Sequence, residues 1–305
     1  MSVTKVLEAG LSFTGAFSGV LQTNANFVDQ VIFGPAVDGV PWNGAWSKAG
    51  VYSSLMLATI EDEGANTEIN IWDLTEQAAG SPSTTPLATV DLANAATPTA
   101  IAASMGYLIV SSEDGIAIID PHSGAWAERT VGWPRTLSSS TTPALVNNDV
   151  EDVAAGLSLQ PAFDPRTGGP MPTFGLMYGT GSDLSAVIKD DGNIWSKAGT
   201  PGTNPHCTIM NGSLIYGRST DIIMAETFET ITADDYSGAA VINENGAPYG
   251  LEADNALSAG LGLIASAATG GLTFSRPSNL SFSGNVISET LTNVITRAYN
   301  TGYMV

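Results

Sequence analysis

Short apolar runs, each ended within about five to eight residues by glycine, proline, aspartate or asparagine, recur along this chain. Its 305 residues include 33 glycines and 16 prolines, which interrupt nearly every candidate helix. The runs are rich in Val, Ile and Leu, as in residues 54–60, 107–111 and 185–189. This pattern is typical of strands joined by turns, so we predict an all-β fold. Helical turns are expected only at residues 150–157 and 251–259.

One unit recurs five times: an apolar strand that ends in a turn and is followed by another strand. The five copies begin at Ile69, Ile116, Ser185, Asp221 and Gly271. Their spacing is irregular but near the repeat of about 40–50 residues of propeller blades. We therefore predict irregular β-propeller-like repeats over residues 1–275, with a long insert at 136–170. Residues 276–305 are predicted to be closing strands or the truncated start of a C-terminal module. A β-sandwich or barrel modules are the alternative.

The charge balance excludes some partners. Thirty acidic and ten basic residues give a net charge of −20, and no window clusters the Lys and Arg that nucleic acid requires. An anionic membrane surface is disfavoured for the same reason, and no apolar run is long enough for a transmembrane helix. Charged residues make up only 13% of the chain, and a Ser-, Thr-, Asn- and Gly-rich surface suits contact between subunits. We predict a symmetric homo-oligomer, synthesised in a cytoplasm because no secretion signal opens the sequence.

No catalytic motif is present, and the chain has one cysteine and two histidines. His206 precedes Cys207, and neighbouring side chains on a strand face opposite ways, so they are not expected to form a nucleophile and its base. We predict a buried structural Cys207 beside a loop histidine. His122 is predicted to be a solvated turn residue. No catalytic or cofactor-binding residue is assigned.

Three groups of carboxylates are the candidates for acid–base chemistry: residues 61–63, the set Asp149, Glu151 and Asp152, and the pair Asp190 and Asp191. Glycoside hydrolysis needs two carboxyl groups at a set separation. All three groups are expected in turns, where such side chains are solvated or bonded to the backbone. A weak calcium site is considered at Asp190, Asp191 and Asn193, although the ligand spacing is incomplete and a tight hairpin turn is favoured.

Aromatic residues near turns are the remaining site candidates. Trp42, Trp46, Trp126 and Trp133 flank predicted turns and are candidates for glycan stacking or for an interface. Burial of such rings between sheets is the alternative.

Three stretches together carry a resemblance to a known family: residues 38–74, 150–192 and 291–305. They resemble structural proteins of the virions of marine bacteriophages, whose N-terminal part looks like a propeller and is often followed by a lectin-like β-sandwich. The resemblance implies a tail or portal-proximal virion component that contacts identical copies and other virion proteins. The family sequence is expected to continue beyond Val305, so this chain would lack the lectin-like part. A receptor-binding or glycan-degrading tail spike or fibre, with a host surface glycan as partner, and a non-viral propeller scaffold are the alternatives.

Overall fold

The structure is a computed structural model, and it describes strands and turns distributed from residue 26 to residue 290. The described ranges are 26–34, 47–48, 51–52, 56–64, 66–73, 85–92, 97–113, 115–120, 126–128, 145, 147, 149–165, 168–200, 205–218, 221–236, 238–241, 256–260, 263–268, 271–277 and 286–290. For residues 47–48, 51–52, 126–128, 218, 221–222, 224, 238–241 and the strands after residue 255, only the backbone is described.

The described strands form five four-stranded antiparallel sheets and one two-stranded hairpin. The first sheet contains β1 (Phe27–Phe33), β4 (Met56–Asp62), β5 (Thr67–Asp73) and β6 (Ala88–Leu92), and the hairpin β2 (Ser47–Lys48) and β3 (Val51–Tyr52) lies between its first two strands in sequence. The second contains β7 (Pro98–Ser104), β8 (Tyr107–Ser112), β9 (Gly115–Ile119) and β10 (Trp126–Glu128).

The third, fourth and fifth sheets follow the same plan. The third contains β11 (Val150–Gly156), β12 (Thr173–Tyr178), β13 (Asp183–Ile188) and β14 (Ile194–Ala198). The fourth contains β15 (His206–Met210), β16 (Ser213–Arg218), β17 (Asp221–Thr227) and β18 (Gly238–Val241). The fifth contains β19 (Ala256–Gly260), β20 (Leu263–Ala268), β21 (Gly271–Pro277) and β22 (Val286–Thr290).

Each sheet is a meander, in which every strand pairs with the next one of that sheet along the chain. The five copies of the unit found in the sequence fall on the third strand of each sheet: β5, β9, β13, β17 and β21. The periodic unit therefore marks one sheet per copy, and the prediction of a repeated all-β architecture is confirmed.

The sheets stand side by side through their first strands. Contacts link β1 to β7, β7 to β11, β11 to β15 and β15 to β19. The first strand of each sheet thus lies at the inner edge of an arc, as in the blades of a propeller. The fold is all-β and propeller-like, with an irregular first sheet into which β2 and β3 are inserted.

Hydrophobic clusters fill the spaces between the first four sheets. Ile60 and Leu108 belong to the cluster between the first and second sheets, and Ile118 and Leu176 to the one between the second and third. A third cluster, which includes Met177 and Leu214, joins the third and fourth sheets. Neighbouring residues on one strand serve different clusters, so middle strands are buried on both faces and are continuously apolar.

The strands correct three predictions made from the sequence. Residues 150–156 form strand β11, although their sequence Val-Glu-Asp-Val-Ala-Ala-Gly suits a helix, because pairing with β12 and packing between two sheets override local propensity. This strand also divides the insert expected at 136–170. Strand β19 covers part of the second expected helical turn, at 251–259.

Strand β22 pairs with β21 and completes the fifth sheet, and the domain boundary at residue 275 stays a prediction. Within the described ranges, no helix is long and apolar enough to cross a bilayer.

Candidate functional site

The first strands of three successive sheets share a one-residue bulge near their start. In each, the second residue has no partner on the neighbouring strand: Val28 in β1, Thr99 in β7 and Glu151 in β11. A bulge bends its strand and changes the direction of the side chains around it. All three bulges lie where the inner strands begin, so polar side chains gather on one face of the arc of sheets.

Polar side chains at these bulges bond to the inner strand of the next sheet. The Ile101 amide donates to Asp29 Oδ2 at 3.0 Å, and the Thr99 hydroxyl donates to the Val150 carbonyl oxygen at 2.7 Å. The Cys207 amide donates to Asp152 Oδ2 at 2.7 Å. Each bond crosses from one sheet to the following one. Three successive junctions are therefore each joined by a side-chain-to-backbone hydrogen bond at the bulge or directly after it: Asp29 and Asp152 accept from an amide, and Thr99 donates to a carbonyl oxygen.

A group of ionisable side chains, named here the inner-strand cluster, surrounds the third junction: Asp149, Glu151, Asp152 and His206. His206 Nδ1 lies 3.4 Å from Asp152 Oδ2. Asp149 accepts a hydrogen bond from the Thr180 hydroxyl, and its carbonyl oxygen accepts the Gly179 amide at 3.0 Å. These bonds tie the strand entry to the turn between β12 and β13.

The electrostatics of the cluster favour a protonated Glu151. Burial raises the pKa of Glu151, and the charges of Asp149 and Glu113 raise it further, while His206 lowers it. Burial likewise raises the pKa of Asp29, against the lowering effect of its hydrogen bonds to Ile101 and Gln30. A raised carboxyl pKa is one property of a general acid. Such a shift also arises where carboxylates serve structure alone.

The structure corrects the expected loop position of His206 and supports the expected burial of Cys207. Both residues lie on β15, so His206 is a strand residue and not a loop residue. Cys207 is buried, and burial raises the pKa of its thiol well above the usual value. A neutral, buried thiol is a poor nucleophile. His122 lies outside the described residues.

The carboxylates predicted to occupy turns are in part strand residues. Glu151 and Asp152 lie within β11, and Glu61 lies within β4 with only 1% of its surface exposed. The Asn70 amide donates at 2.8 Å to both Glu61 Oε1 and Glu68 Oε1. A side-chain amide placed between two facing glutamates offsets their repulsion, which explains how β4 and β5 tolerate this pair.

The turn at residues 189–193 forms as predicted. The Gly192 amide donates to the Lys189 carbonyl oxygen at 2.9 Å, and Gly192 has a φ of 88°, which glycine adopts readily. Asp191 accepts bonds from the amide and the side chain of Asn193, and buried Asp190 accepts the Ala162 amide. Among the described residues, no three His, Cys, Asp or Glu side chains are grouped to hold a metal.

The tryptophan candidates receive little structural description. Trp126 lies on β10, where only its backbone is described, and Trp42, Trp46 and Trp133 lie outside the described residues. Trp72, which was not a candidate, is buried on β5, and its indole N–H has no hydrogen-bond partner in the described part of the chain.

Sequence reasoning missed Asp29 and Thr99, which bridge the first two junctions. The available signal was positional: Asp29 and Asp152 are each the third residue of an inner strand, directly after the bulge. The repeated unit falls on the third strand of each sheet, and the inner strands share no apolar pattern, so the repeat does not point to Asp29 or Asp152.

No known family model and no curated protein sequence matches the chain. Among solved structures it is similar to one titled as a nidogen/laminin complex, with 11% identity, a TM-score of 0.41, and coverage of 72% of this chain and 71% of that one. It is also similar to the CNH domain of AfRom2, with 14% identity, a TM-score of 0.38, and coverage of 87% and 68%. Hsv2 of Kluyveromyces lactis gives 10% identity, a TM-score of 0.38, and coverage of 77% and 81%. Likenesses this distant transfer no function to the chain.

Proposed function

We propose that this chain is a propeller-like scaffold that acts by binding other proteins and not by catalysis. The observation that supports this most directly is the use made of its polar groups. Asp29, Thr99 and Asp152 each hold the next sheet in place through a hydrogen bond across a junction. Groups engaged in this way stabilise a rigid body and are poorly placed to exchange protons with a substrate.

A tail or portal-proximal position in a bacteriophage virion is the finer form of this proposal. It is supported by the resemblance of residues 38–74, 150–192 and 291–305 to virion proteins. A surface with few charges and a net charge of −20 fits a component that is held among neighbours in a salty medium. Proteomic analysis of purified particles tests this position. We expect the chain at a fixed copy number per particle, and its absence from the particles would contradict the virion assignment while leaving the scaffold proposal intact.

Glycan cleavage is the second candidate function, and Glu151 is the observation in its favour. Burial raises the pKa of its carboxyl, as in a general acid, and the charge of the neighbouring Asp149 raises that pKa further. The enzyme hypothesis requires that both reach a glycosidic bond.

One experiment separates these two functions. The purified chain is incubated with a panel of polysaccharides, and the release of reducing ends is followed, with Glu151→Gln as the matched variant. The scaffold proposal expects no release above the blank from either protein. Release that depends on Glu151 would establish a hydrolase and would overturn the non-catalytic assignment.

A further inference from the structure

The described part of the connection from β11 to β12, residues 157–165 and 168–172, is called here the β11–β12 loop, and it exposes two large apolar side chains. Phe163 is 65% exposed and Leu159 is 61% exposed, the highest values among the described large hydrophobic residues. The other exposed large hydrophobic residues of the described chain, Phe27, Val28 and Ile32, lie on β1. Large apolar groups that gather at the surface mark interaction sites, whereas isolated ones do not.

Hydrogen bonds within the loop fix the position of Phe163. Phe163 forms a β-bridge with Pro170, and the Asp164 amide donates to the Gly169 carbonyl oxygen at 2.9 Å. The Met171 amide donates to the Ala162 carbonyl oxygen at 2.8 Å. The described arms of the loop, residues 157–165 and 168–172, are thus paired as in a hairpin, which fixes the backbone at Phe163.

Carboxylates and a phenol then attach this hairpin to three sheets. The Tyr107 hydroxyl, from the second sheet, donates to Asp164 Oδ2 at 2.7 Å. The Ala162 amide donates to Asp190 in the third sheet, and the Gln160 amide donates to Glu229 Oε1, after the third strand of the fourth sheet, at 3.0 Å. Because the loop is already ordered, binding through it loses little conformational entropy.

Leu159 is positioned by a glycine of the fourth sheet. A Cβ atom on Gly212 would lie 2.9 Å from Leu159 Cγ, and Gly212 has a φ of 69°. Only a glycine therefore allows this approach at this backbone conformation. Leu159 rests against the turn at Gly212 and still presents most of its surface to solvent.

An exposed carboxylate lies near the apolar pair. Asp191 is exposed next to Asp190, which accepts the Ala162 amide. The Glu229 carboxylate is used inside the protein, because its Oε1 accepts the Gln160 amide and its Oε2 is buried. Lys189, the nearby cation, donates to the Ile231 carbonyl oxygen at 3.1 Å. Arg166, between the two arms of the loop, lies outside the described residues. With a net charge of −20 on the whole chain, a second copy would bring further negative charge to this surface.

We propose that the β11–β12 loop is a docking surface for a protein segment that combines apolar side chains with lysine or arginine. Phe163 and Leu159 anchor the segment, and its cationic side chains lie against the exposed Asp191. The proposal rests on the scaffold function and identifies the chemistry of a partner. Exposed aromatic anchors on a rigid backbone are the usual centres of binding energy at such interfaces.

A fluorescence anisotropy titration of the full chain with short labelled peptides tests this docking surface. One peptide alternates Leu with Lys, a second replaces Lys by Glu, and a third replaces Leu by Ser. The Leu–Lys peptide should bind best and weaken as salt is raised, because its charges are screened. Phe163→Ser and Leu159→Ser should each weaken it by about tenfold, the effect of one anchor residue. Asp191→Lys should weaken it without altering the apolar pair.

Phe27→Ser is the matched control, since Phe27 is also an exposed phenylalanine but lies on β1. The affinity of Phe27→Ser for the Leu–Lys peptide should equal that of the unaltered chain. Equal melting temperatures of all variants should show that each one is folded. Equal peptide affinity in Phe163→Ser and the unaltered chain would mean non-specific attraction to a negative protein and would overturn the docking surface. Absence of binding, preference for the Leu–Glu peptide, or dissociation of a homo-oligomer by Phe163→Ser would overturn it as well. None of these outcomes bears on polysaccharide cleavage, so the scaffold proposal is tested separately.

Discussion

At the scale of single residues, short polar side chains form hydrogen bonds between neighbouring sheets. Asp29, Thr99 and Asp152 each reach across a junction to a backbone group of the next inner strand. A buried backbone amide without an acceptor costs about 1–3 kcal/mol. These residues therefore stabilise the packing of each sheet against the next. Because they lie far apart in the sequence, their common role is not apparent from it.

Asp152→Ala should destabilise the protein, because the Cys207 amide would lose its acceptor. We expect a loss of about 1–3 kcal/mol in the free energy of unfolding, measured by urea denaturation. Asp183→Ala is the control, since the described side-chain contact of Asp183 is a long one, 3.5 Å from the Ser182 hydroxyl. Equal stability of the two variants would contradict the role of Asp152 as a bridge.

Glu151 should make stability depend on pH. Because its pKa is raised in the folded protein, the folded state binds the proton more tightly than the unfolded chain does. The stability that it contributes is full below the ordinary glutamate value of 4.5 and is lost as the pH rises through the raised folded pKa. In Glu151→Gln the melting temperature should change less with pH above 4.5 than it does in the unaltered chain. At pH 7 the variant should have the higher melting temperature. An unchanged slope in the variant would assign the pH dependence to other groups, Asp29 first among them.

At the scale of strands, the junctions require close approach of backbones. A Cβ atom on Gly156 of β11 would lie 2.5 Å from Ile209 Cγ2 and 2.9 Å from Ile209 Cβ on β15. The backbone fixes the position of Ile209 Cβ, so rotation of the side chain cannot move this atom away. Gly156 is therefore a spacing residue between the third and fourth sheets.

Gly156→Ala should cost about 1–3 kcal/mol of stability through overpacking. Combining it with Ile209→Ala, which removes Cγ2, should recover part of this loss in a double-mutant cycle. Thermal unfolding of the four proteins in the cycle measures the coupling. Additive effects would show that the two residues do not press on each other.

Strands differ in how well the sequence predicts them. The third strands were found because runs such as Ile116–Ile119 are apolar on both faces and end at a turn. The inner strand β11 was expected to be helical, because the Ala and Glu in it favour a helix and its burial is supplied by neighbouring sheets. The cross-sheet bonds of Asp29 and Asp152 were not predictable, since their partners, Ile101 and Cys207, lie on separate sheets.

At the scale of the whole molecule, low charge density and high net charge act together. Copies of a chain at −20 repel each other over a Debye length of about 10 Å at 0.1 M salt and about 3 Å at 1 M. Binding to a basic partner has the opposite dependence, because salt screens attraction.

Self-association should therefore strengthen as salt is raised, while binding of the Leu–Lys peptide weakens. Mass photometry of the chain from about 0.05 M to about 1 M salt measures the first of these. A chain that remains monomeric throughout would contradict the predicted homo-oligomer. Oligomers that dissociate at high salt would show that charge attraction, and not burial of surface, holds the copies together.

Side-by-side contact between inner strands also has a consequence for how the molecule comes apart. Along β1, β7, β11, β15 and β19, each described sheet depends on its immediate neighbours, so cooperativity passes only from one sheet to the next. Amides of the outermost sheets should exchange with deuterium first. The third sheet should exchange last, because it is the middle one of the five described sheets and its β11–β12 loop is bonded to the sheets on both sides, through Tyr107 and Glu229. The proposed docking surface would then belong to the part of the protein that opens most slowly. A partner bound there would stay bound while the first and fifth sheets unfold.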